Sequence, residues 1–334
     1  MKKNINILIT SVGRRTLLLE YFKKELLDVG NLVAVDCSPF APALYIADKH
    51  YIVPKINDHN YINVIKDICK SNQITAILSL IDPELSLLAK YASEFREIGV
   101  TAVVSPYSAC ELWLDKYAAS IFCENNNIKY PLTYNNLSDF ENGWRNKKID
   151  FPVFVKPRKG SASININKAN NLECVKFIFK SFDDMIIQQY MNGQEIGVDV
   201  YVDMISKKVV SIFIKQKLAM RAGETDKAKS IKSESLFKIV EDLVVKANLI
   251  GPIDIDVFCV DGEYYISEIN PRFGGGYPLA YECGVNFPKY IINNLTGIVN
   301  EPQIGNYEEN VYMMKHDRVT IITNSALNSH NMSL

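Results

Sequence analysis

Asp256 and the run Glu268-Ile269-Asn270-Pro271-Arg272 carry the strongest chemical signal in this sequence. Residues 253–260 and 263–269 read as antiparallel partners joined by a tight turn at Asp261-Gly262, which brings Asp256 and Glu268 together near one end of a hairpin. Asn270 lies two residues beyond Glu268, and in a strand that spacing puts both side chains on one face. Two carboxylates and an amide then offer only hard oxygen donors, the set that Mg²⁺ takes together with substrate phosphates. Metal ions on a shared carboxylate bridge phosphate oxygens and offset the charge that develops in phosphoryl transfer. Arg272 adds a planar fork suited to a phosphate or a carboxylate. An isolated pair at this spacing is more often an ordinary hairpin with solvated carboxylates. The continuation through Gly274, Gly275 and Gly276 shifts that balance, because bare backbone N–H groups suit an anion and a structural turn seldom needs more than one glycine.

Two further segments fit a nucleotide. The run from Phe151 to Lys156 ends a buried strand on a lysine, immediately before Pro157-Arg158-Lys159-Gly160-Ser161-Ala162-Ser163. The small residues Gly160, Ser161 and Ser163 would form a flap whose amides cover phosphates, while Lys156 supplies a point charge. No Walker loop occurs, and the competing reading is a charged strand end beside an ordinary turn. Farther on, Ile186-Ile187-Gln188-Gln189-Tyr190-Met191 breaks at Asn192-Gly193 and resumes at Glu195. Backbone groups around Gln189, Tyr190 and Met191 could meet an adenine edge while Glu195 reaches ribose hydroxyls; a plain hairpin is the alternative.

The elements that must position these residues fall into two styles. Strand patterns at 5–10, 32–35, 74–80 and 100–104 alternate with helical ones at 60–71 and 84–97, which predicts an open α/β unit with a parallel sheet and ligands at the strands' carboxyl ends. After a helix at 110–126 the pattern becomes α+β. Strands are expected at 152–156, 163–167, 185–188, 195–203, 208–216, 253–260 and 263–269, with helices at 171–181, 232–248 and 285–295. The polar stretch 222–233 lacks periodicity and reads as a solvated linker or a mobile loop over a site, ordered only with ligand. The Asn- and Ser-rich tail after Thr323 reads as frayed.

Composition narrows the functional classes. Lysine plus arginine total 37 against 38 for aspartate plus glutamate, so no global field favours nucleic acid or an anionic membrane. No apolar run is long enough to span a bilayer and no signal-peptide pattern opens the chain, so the expected compartment is the cytoplasm. The 7 cysteines are scattered without a C-x-x-C spacing, which suits reduced thiols. His50, His59, His316 and His330 show no metal-ligand spacing and read as surface or packing residues.

At the amino terminus, Ser11-Val12-Gly13-Arg14-Arg15 follows a strand and Asp36 ends the next, an arrangement reminiscent of dinucleotide binding. It fails that test for want of the second and third glycines. Arg14, Arg15, Asp82 and Glu84 nonetheless fall where a crevice should face the later domain, and are candidates for holding the donor or acceptor substrate. Helix capping is the alternative for Asp82.

Taken in order, V-K-P-x-x-G-S, I-Q-Q-Y-M-x-G-x-E and Asp256 through Glu268-x-Asn270-Pro271-Arg272 resemble the ATP-grasp superfamily, most closely members similar to the ATP-binding part of the carbamoyl phosphate synthase large subunit. The resemblance implies a pre-ATP-grasp parallel-sheet domain at 1–105, then a two-lobed ATP-grasp domain with a small lobe at 106–185, a large lobe at 186–323 and a tail at 324–334. It implies that Lys116 and Lys156 contact ATP phosphates, that Gln188 and the backbone of Gln189 and Met191 hold adenine, and that Glu195 holds the ribose. Asp256, Glu268 and Asn270 would bind a pair of Mg²⁺ ions, for which Mn²⁺ may substitute. Lys217 and Arg272 would stabilise an acyl phosphate and the tetrahedral state that follows. The segment from Lys215 to Lys217, then Arg221 and Glu224, resembles the family's substrate-facing stretch, and Gly274 and Gly275 are further candidates for contacting the substrate. Gln188-Gln189 stands where Glu-Lys is frequent in the family, and Lys217 where Arg is common.

The implied reaction is ATP-dependent joining of a small-molecule carboxylate to an amine, or to a thiol, in a homodimer. A carbamoyl-phosphate-type synthase, a small-molecule kinase and a non-catalytic ATP sensor are the alternatives. Because water would hydrolyse an acyl phosphate, a flap at 159–163 and a lid at 221–231 are expected to close over it.

Overall fold

Short apolar runs, buried on both faces, build the first sheet. The computed structural model describes residues 4–160, 165–324 and 327. In it β1 (Ile7–Thr10), β2 (Leu32–Asp36), β3 (Lys49–Ile52), β4 (Ala76–Ser79) and β5 (Thr101–Ala102) pair in parallel in the order β3-β2-β1-β4-β5. The crossovers carry α1 (Thr16–Leu26), α2 (Tyr61–Ser71), α3 (Asp82–Lys90) and α4 (Ala92–Glu97). Ile7 and Ile9 point into one core with Leu19 and Phe22, whereas Leu8 points to the other face with Ile65 and Leu85. The strand order reverses between β1 and β4, so the loop 11–15 and the start of α3 flank the crevice where such sheets bind ligands. The edge strand β3 was not expected, since its Lys-His-Tyr-Ile sequence is only partly buried.

Two expected helices prove to be pairs. The pattern at 84–97 breaks at Tyr91, and that at 110–126 becomes α5 (Tyr107–Leu114) and α6 (Lys116–Asn125). Asp115 causes the second break: it leaves helical geometry to cap α6, accepting from the N–H groups of Tyr117 (3.1 Å) and Ala118 (3.0 Å).

A smaller antiparallel sheet follows, built from β6 (Thr133–Tyr134), β7 (Val153–Pro157), β8 (Asn167–Ala169) and β9 (Met185–Gln189) in the order β6-β9-β7-β8. The helices α7 (Leu137–Arg145) and α8 (Leu172–Ser181) cover it around a core that includes Phe140, Val153, Val155 and Ile187. The strand expected at 163–167 overlaps residues outside the description, and the observed β8 begins at Asn167.

The larger sheet comprises β10 (Gln194–Val202), β11 (Val209–Arg221), β12 (Glu224–Ile231), β13 (Gly251–Val260), β14 (Glu263–Asn270) and β15 (Tyr312–Met314), all antiparallel, in the order β14-β13-β10-β11-β12-β15. It is backed by α9 (Glu234–Lys246) and joined to the first sheet's helices through α10 (Tyr277–Glu282) and α11 (Phe287–Leu295). Here the expectation for 222–233 is overturned. Residues 224–231 are a strand paired on one edge with β11, through an irregularity around Ala219, and on the other with β15. Its inward residues are Thr225, Ala228 and Ser230, all buried but none strongly apolar, so the alternation left no hydrophobic signature.

The parallel sheet does not stand apart from the rest. Tyr21 on α1 stacks on Tyr281 at 3.7 Å, Phe22 meets Phe273 edge-on, and Ser105 exchanges hydrogen bonds with the backbone of Ile250. One buried apolar cluster runs from β1 and α1 into β10, β11 and β13. Among the described residues no helix is long and apolar enough to cross a membrane. The expected fraying after Thr323 concerns residues that lie almost entirely outside the description.

Candidate active site

Cross-strand register assembles the charged residues on one face of the larger sheet. Asp256 pairs directly with Glu268, and Asp254 with Asn270. On the other side of β13, Asp256 lies opposite Gly197 and Asp254 opposite Asp199, while Gly197 also faces Lys215 on β11. Because side chains alternate along each strand, Glu195, Asp199, Lys215, Lys217, Asp254, Asp256, Glu268 and Asn270 share this face. Gly197 is needed in their midst: a Cβ there would stand 2.9 Å from Lys215 Cε and 3.2 Å from Lys217 Cε.

The carboxylates and cations are interleaved. Lys217 Nζ donates to Asp256 Oδ1 at 2.5 Å, and Lys116 Nζ lies 3.7 Å from Glu268 Oε1 while donating to the Gly160 carbonyl at 2.6 Å. Burial works against the Lys217 charge, but Asp256 and Asp254 outweigh it and hold the ammonium above the ordinary lysine value. Lys156 is buried beside them, and desolvation, reinforced by Lys116, pushes its ammonium down to about 8 against the pull of Glu268 and Asp256. Among the described residues it forms no ion pair.

Farther along the same face lies a buried cluster whose aspartates, Asp199 and Asp254, sequence reasoning missed. Lys215 and Asp199 form a fully buried ion pair. Asp254 is pushed up to about 6, chiefly by burial and then by Asp256, despite Lys215 and Arg272. The alternation Ile253-Asp254-Ile255-Asp256 placed Asp254 with Asp256, and Asp199 interrupts an apolar strand, so both signals were present in the sequence. Arg272 Nη2 donates to Asp82 Oδ2 at 2.9 Å, and Nη1 reaches the Phe273 carbonyl at 3.0 Å with Asp254 Oδ2 at 3.7 Å. Burial opposes the Arg272 charge and these two carboxylates sustain it.

The glycine run is hemmed in by charged side chains. A Cβ on Gly274 would meet the Asp254 carboxylate at 2.2 Å, one on Gly275 would lie 3.1 Å from Glu224, and one on Gly276 would meet Lys215 Cε at 2.5 Å. Each makes room for a charged side chain.

The amino-terminal candidates separate. Arg15 Nη2 lies 3.3 Å from Glu224 Oε1, and Arg14 is exposed nearby. Asp82 is not the helix cap, a position held by Ile81; it turns to Arg272 across the seam. Glu84 cannot touch a substrate. It is fully buried, with Ser11 Oγ at 2.7 Å, Ser79 Oγ at 2.6 Å and the Tyr61 hydroxyl donating to it. Asp36 accepts from Gly13 N–H at 2.9 Å and Ser38 N–H at 2.9 Å, so it too secures the loop before Arg14. Arg221, at the end of the hairpin, pairs with Asp317 in solvent.

At the other end, Gln188 is buried and donates to Thr133 Oγ1 at 2.9 Å. The Gln189 N–H is committed to the Leu132 carbonyl at 2.8 Å, so of its backbone only the carbonyl remains a candidate for adenine. Tyr190 packs against Phe154, with Lys168 Nζ 3.9 Å from its ring centroid, and Met191 is buried beside it. Gly160 closes the turn after β7 and is stitched to α6 through Lys116; Ser161 and Ser163 lie outside the described residues. A cleft between α3, α5 and the end of β14 is lined by Asp82, Trp113, Gly160, Glu268 and Asn270.

The oxygen donors fit Mg²⁺ that shares its shell with phosphates and water. Among the described residues no three or more His, Cys, Asp or Glu side chains converge as a complete protein cage.

The chain is similar to known proteins in sequence and in fold. One family model, PylC-like N-terminal domain, matches residues 7–103, and another, ATP-grasp domain, matches residues 114–276. The chain is 30% identical over 162 residues to a carbamoyl-phosphate synthase of Methanobrevibacter smithii, covering 47% of this chain and 42% of that protein. It is 27% identical over 167 residues to a D-alanine–D-alanine ligase of Fervidobacterium nodosum, covering 45% and 52%. It therefore spans about half the length of these curated relatives. In three dimensions it is similar to the biotin carboxylase domain of Hydrogenobacter thermophilus 2-oxoglutarate carboxylase, solved with MgADP and bicarbonate. The TM-score is 0.73 at 19% identity, over 93% of this chain and 74% of that one, a likeness of fold. The two matches cover the parallel sheet, the four-stranded sheet and five strands of the six-stranded one, through the charged hairpin to Gly276, and on that basis the chain carries an ATP-grasp domain preceded by a PylC-like amino-terminal domain.

Proposed function

We propose that this protein is an ATP-dependent ligase that phosphorylates a small-molecule carboxylate and joins the acyl group to an amine. The observation that carries the reading is the convergence of Asp256, Glu268 and Asn270 with Lys116, Lys156, Lys217 and Arg272 at the junction of the two antiparallel sheets. A carboxylate is a poor electrophile until phosphorylated, and negative charge accumulates as the phosphoryl group moves. Lys116 and Lys156 would hold the phosphates, Gln188 and the backbone from Gln189 through Tyr190 to Met191 the adenine, and Glu195 the ribose. Asp256, Glu268 and Asn270 would hold Mg²⁺, which when bound offsets charge on the phosphate oxygens. Lys217 and Arg272 would then face the acyl group, with Asp82 fixing the Arg272 fork. We assign residues 1–105 to substrate presentation, 106–185 and 186–323 to the two lobes that close on nucleotide, and 324–334 to a tail.

The test is ADP release with Mg–ATP against a panel of carboxylates and amines. Release that needs both partners supports the ligase. Release with a carboxylate alone indicates a kinase or carbamoyl-phosphate-type synthase, and nucleotide binding without release indicates a sensor. Glu268→Ala that turned over at the parental rate would remove the assignment.

A further inference from the structure

Lys315 lies beyond both family matches, on the segment that follows β15, yet it is drawn into the candidate site. β15 pairs with β12, and the Lys315 N–H donates to the Asp226 carbonyl at 3.0 Å. The side chain then turns to Glu224, with Nζ 3.2 Å from Oε2, while Arg15 from the loop after β1 takes Oε1 at 3.3 Å. The segment is pinned on both sides, by Asp317 to Arg221 and by Arg318 to Glu20 of α1. The carboxylate lies over Gly275, three residues beyond Arg272.

The composition of this cluster is unequal. Two cations share one carboxylate, and Arg14 adds its field. Burial works to raise the Glu224 carboxyl, but Arg15 and Lys315 outweigh it and hold it below the ordinary value. Burial lowers both Arg15 and Lys315, so both charges are held at a desolvation cost, and Arg272 and Asp254 lie within the same field. A second cation on one carboxylate adds a desolvation cost without a second anion to offset it, which gives little structural reason to gather it here. All three side chains keep between 22% and 30% of their surface in solvent, so a ligand can reach them.

We propose that Lys315, Arg15 and Glu224 form a receptor for a zwitterionic substrate end, with a carboxylate against Arg15 and Lys315 and a neighbouring ammonium against Glu224. The surplus positive charge takes the anion, and the carboxylate between the cations takes the ammonium. Rearrangement needs no covalent bond made or broken: the two ion pairs to Glu224 give way to contacts of Arg15 and Lys315 with the ligand carboxylate and of Glu224 with its ammonium. The inference rests on the ligase reading for its place beside Arg272 and extends it by naming the substrate's charge pattern and a binding residue outside the matched domains.

Titration calorimetry of the full chain, alone and loaded with Mg–AMPPNP, tests it with D- and L-alanine, L-lysine and L-glutamate, each beside its carboxamide and N-acetyl form. At least one zwitterion should bind, and either blocked form should bind roughly 10-fold or more weakly. Lys315→Met should weaken that zwitterion by roughly 10- to 100-fold, and Lys315→Arg should restore most of it, with Mg–AMPPNP affinity unchanged in both. No binding at about 10 mM, equal binding of the blocked forms, or an unaltered Lys315→Met overturns the receptor. If ADP release still needs a carboxylate and an amine in that case, the ligase stands without it. If zwitterions bind through Lys315 and no pair releases ADP, the receptor stands and the ligase reading falls.

Discussion

Glu84 and Asp256 are both acidic residues held by neighbouring side chains, and the protein accommodates them in opposite ways. Glu84 sits at the head of the parallel sheet with three hydroxyl donors, from Ser11, Ser79 and Tyr61, and no cation within ion-pair distance among the described residues. Both its oxygens are held by hydroxyls that come from the loop after β1, the end of β4 and the start of α2. Asp256 sits on an open sheet face, paired with a lysine, and Glu268 opposite it is paired at longer range with another. Those partners are long, flexible cations that can swing toward phosphate. Hydroxyl-saturated carboxylates fix a backbone; cation-paired ones can exchange partners when a charged ligand arrives.

Substitution at each position should separate the two roles. Asp256→Asn is expected to lower ADP formation by roughly 10²–10³, the range seen when one group aimed at developing charge is removed, and to leave the melting temperature nearly unchanged. Steady-state kinetics beside a thermal melt checks both halves, and a large loss of stability with normal turnover would reverse the contrast. Glu84→Ala should do the converse. It strands two buried hydroxyls and one half-buried one at a cost of about 2–4 kcal/mol in denaturant unfolding, while leaving Mg–nucleotide affinity within about twofold. A nucleotide affinity that fell with it would place Glu84 in the site after all.

The contrast was only half legible in the sequence. β1, β2 and β4 announce themselves as unbroken apolar runs, and the Asp256–Glu268 pairing follows from the tight turn and the two-residue period. β12 was invisible because its buried positions are Thr225, Ala228 and Ser230. Glu84 was misjudged because position at a strand end says nothing of direction: one residue pair away, Asp82 faces Arg272 while Glu84 faces the sheet's interior. The tight room around the glycine run comes from Asp254, Glu224 and Lys215, residues 20 to 61 positions distant that only the fold brings near. Lys315 gave no local signal at all.

Gly274→Ala tests that last point with a smaller effect. Its Cβ would overlap the buried Asp254 carboxylate, so an overpacking cost of about 1–3 kcal/mol is expected, detectable as a shift in the denaturation midpoint. Gly274→Ala combined with Asp254→Ala should recover part of it, because removing the carboxylate removes the overlap. If the double variant were no more stable than the single one, the close approach to Asp254 would not be the reason for glycine here.

The finest division between the two regions is one of pH. Lys156 titrates at about 8 in the folded chain against an ordinary 10.5, because burial disfavours its charge. The folded protein therefore sheds this proton before the unfolded chain does, and between about 8 and 10.5 rising pH should add stability through this group. Nucleotide binding should move the opposite way. Phosphates favour the charged ammonium, so Mg–AMPPNP affinity should fall by up to about tenfold per pH unit above about 8. Lys156→Met should flatten that limb and bind weakly at every pH, whereas Glu84→Ala should keep the limb and lose only stability. Calorimetric affinities at intervals from about pH 7 to 10 resolve the two slopes. A wild-type profile without a decline across that range would mean that the buried ammonium does not meet the phosphates.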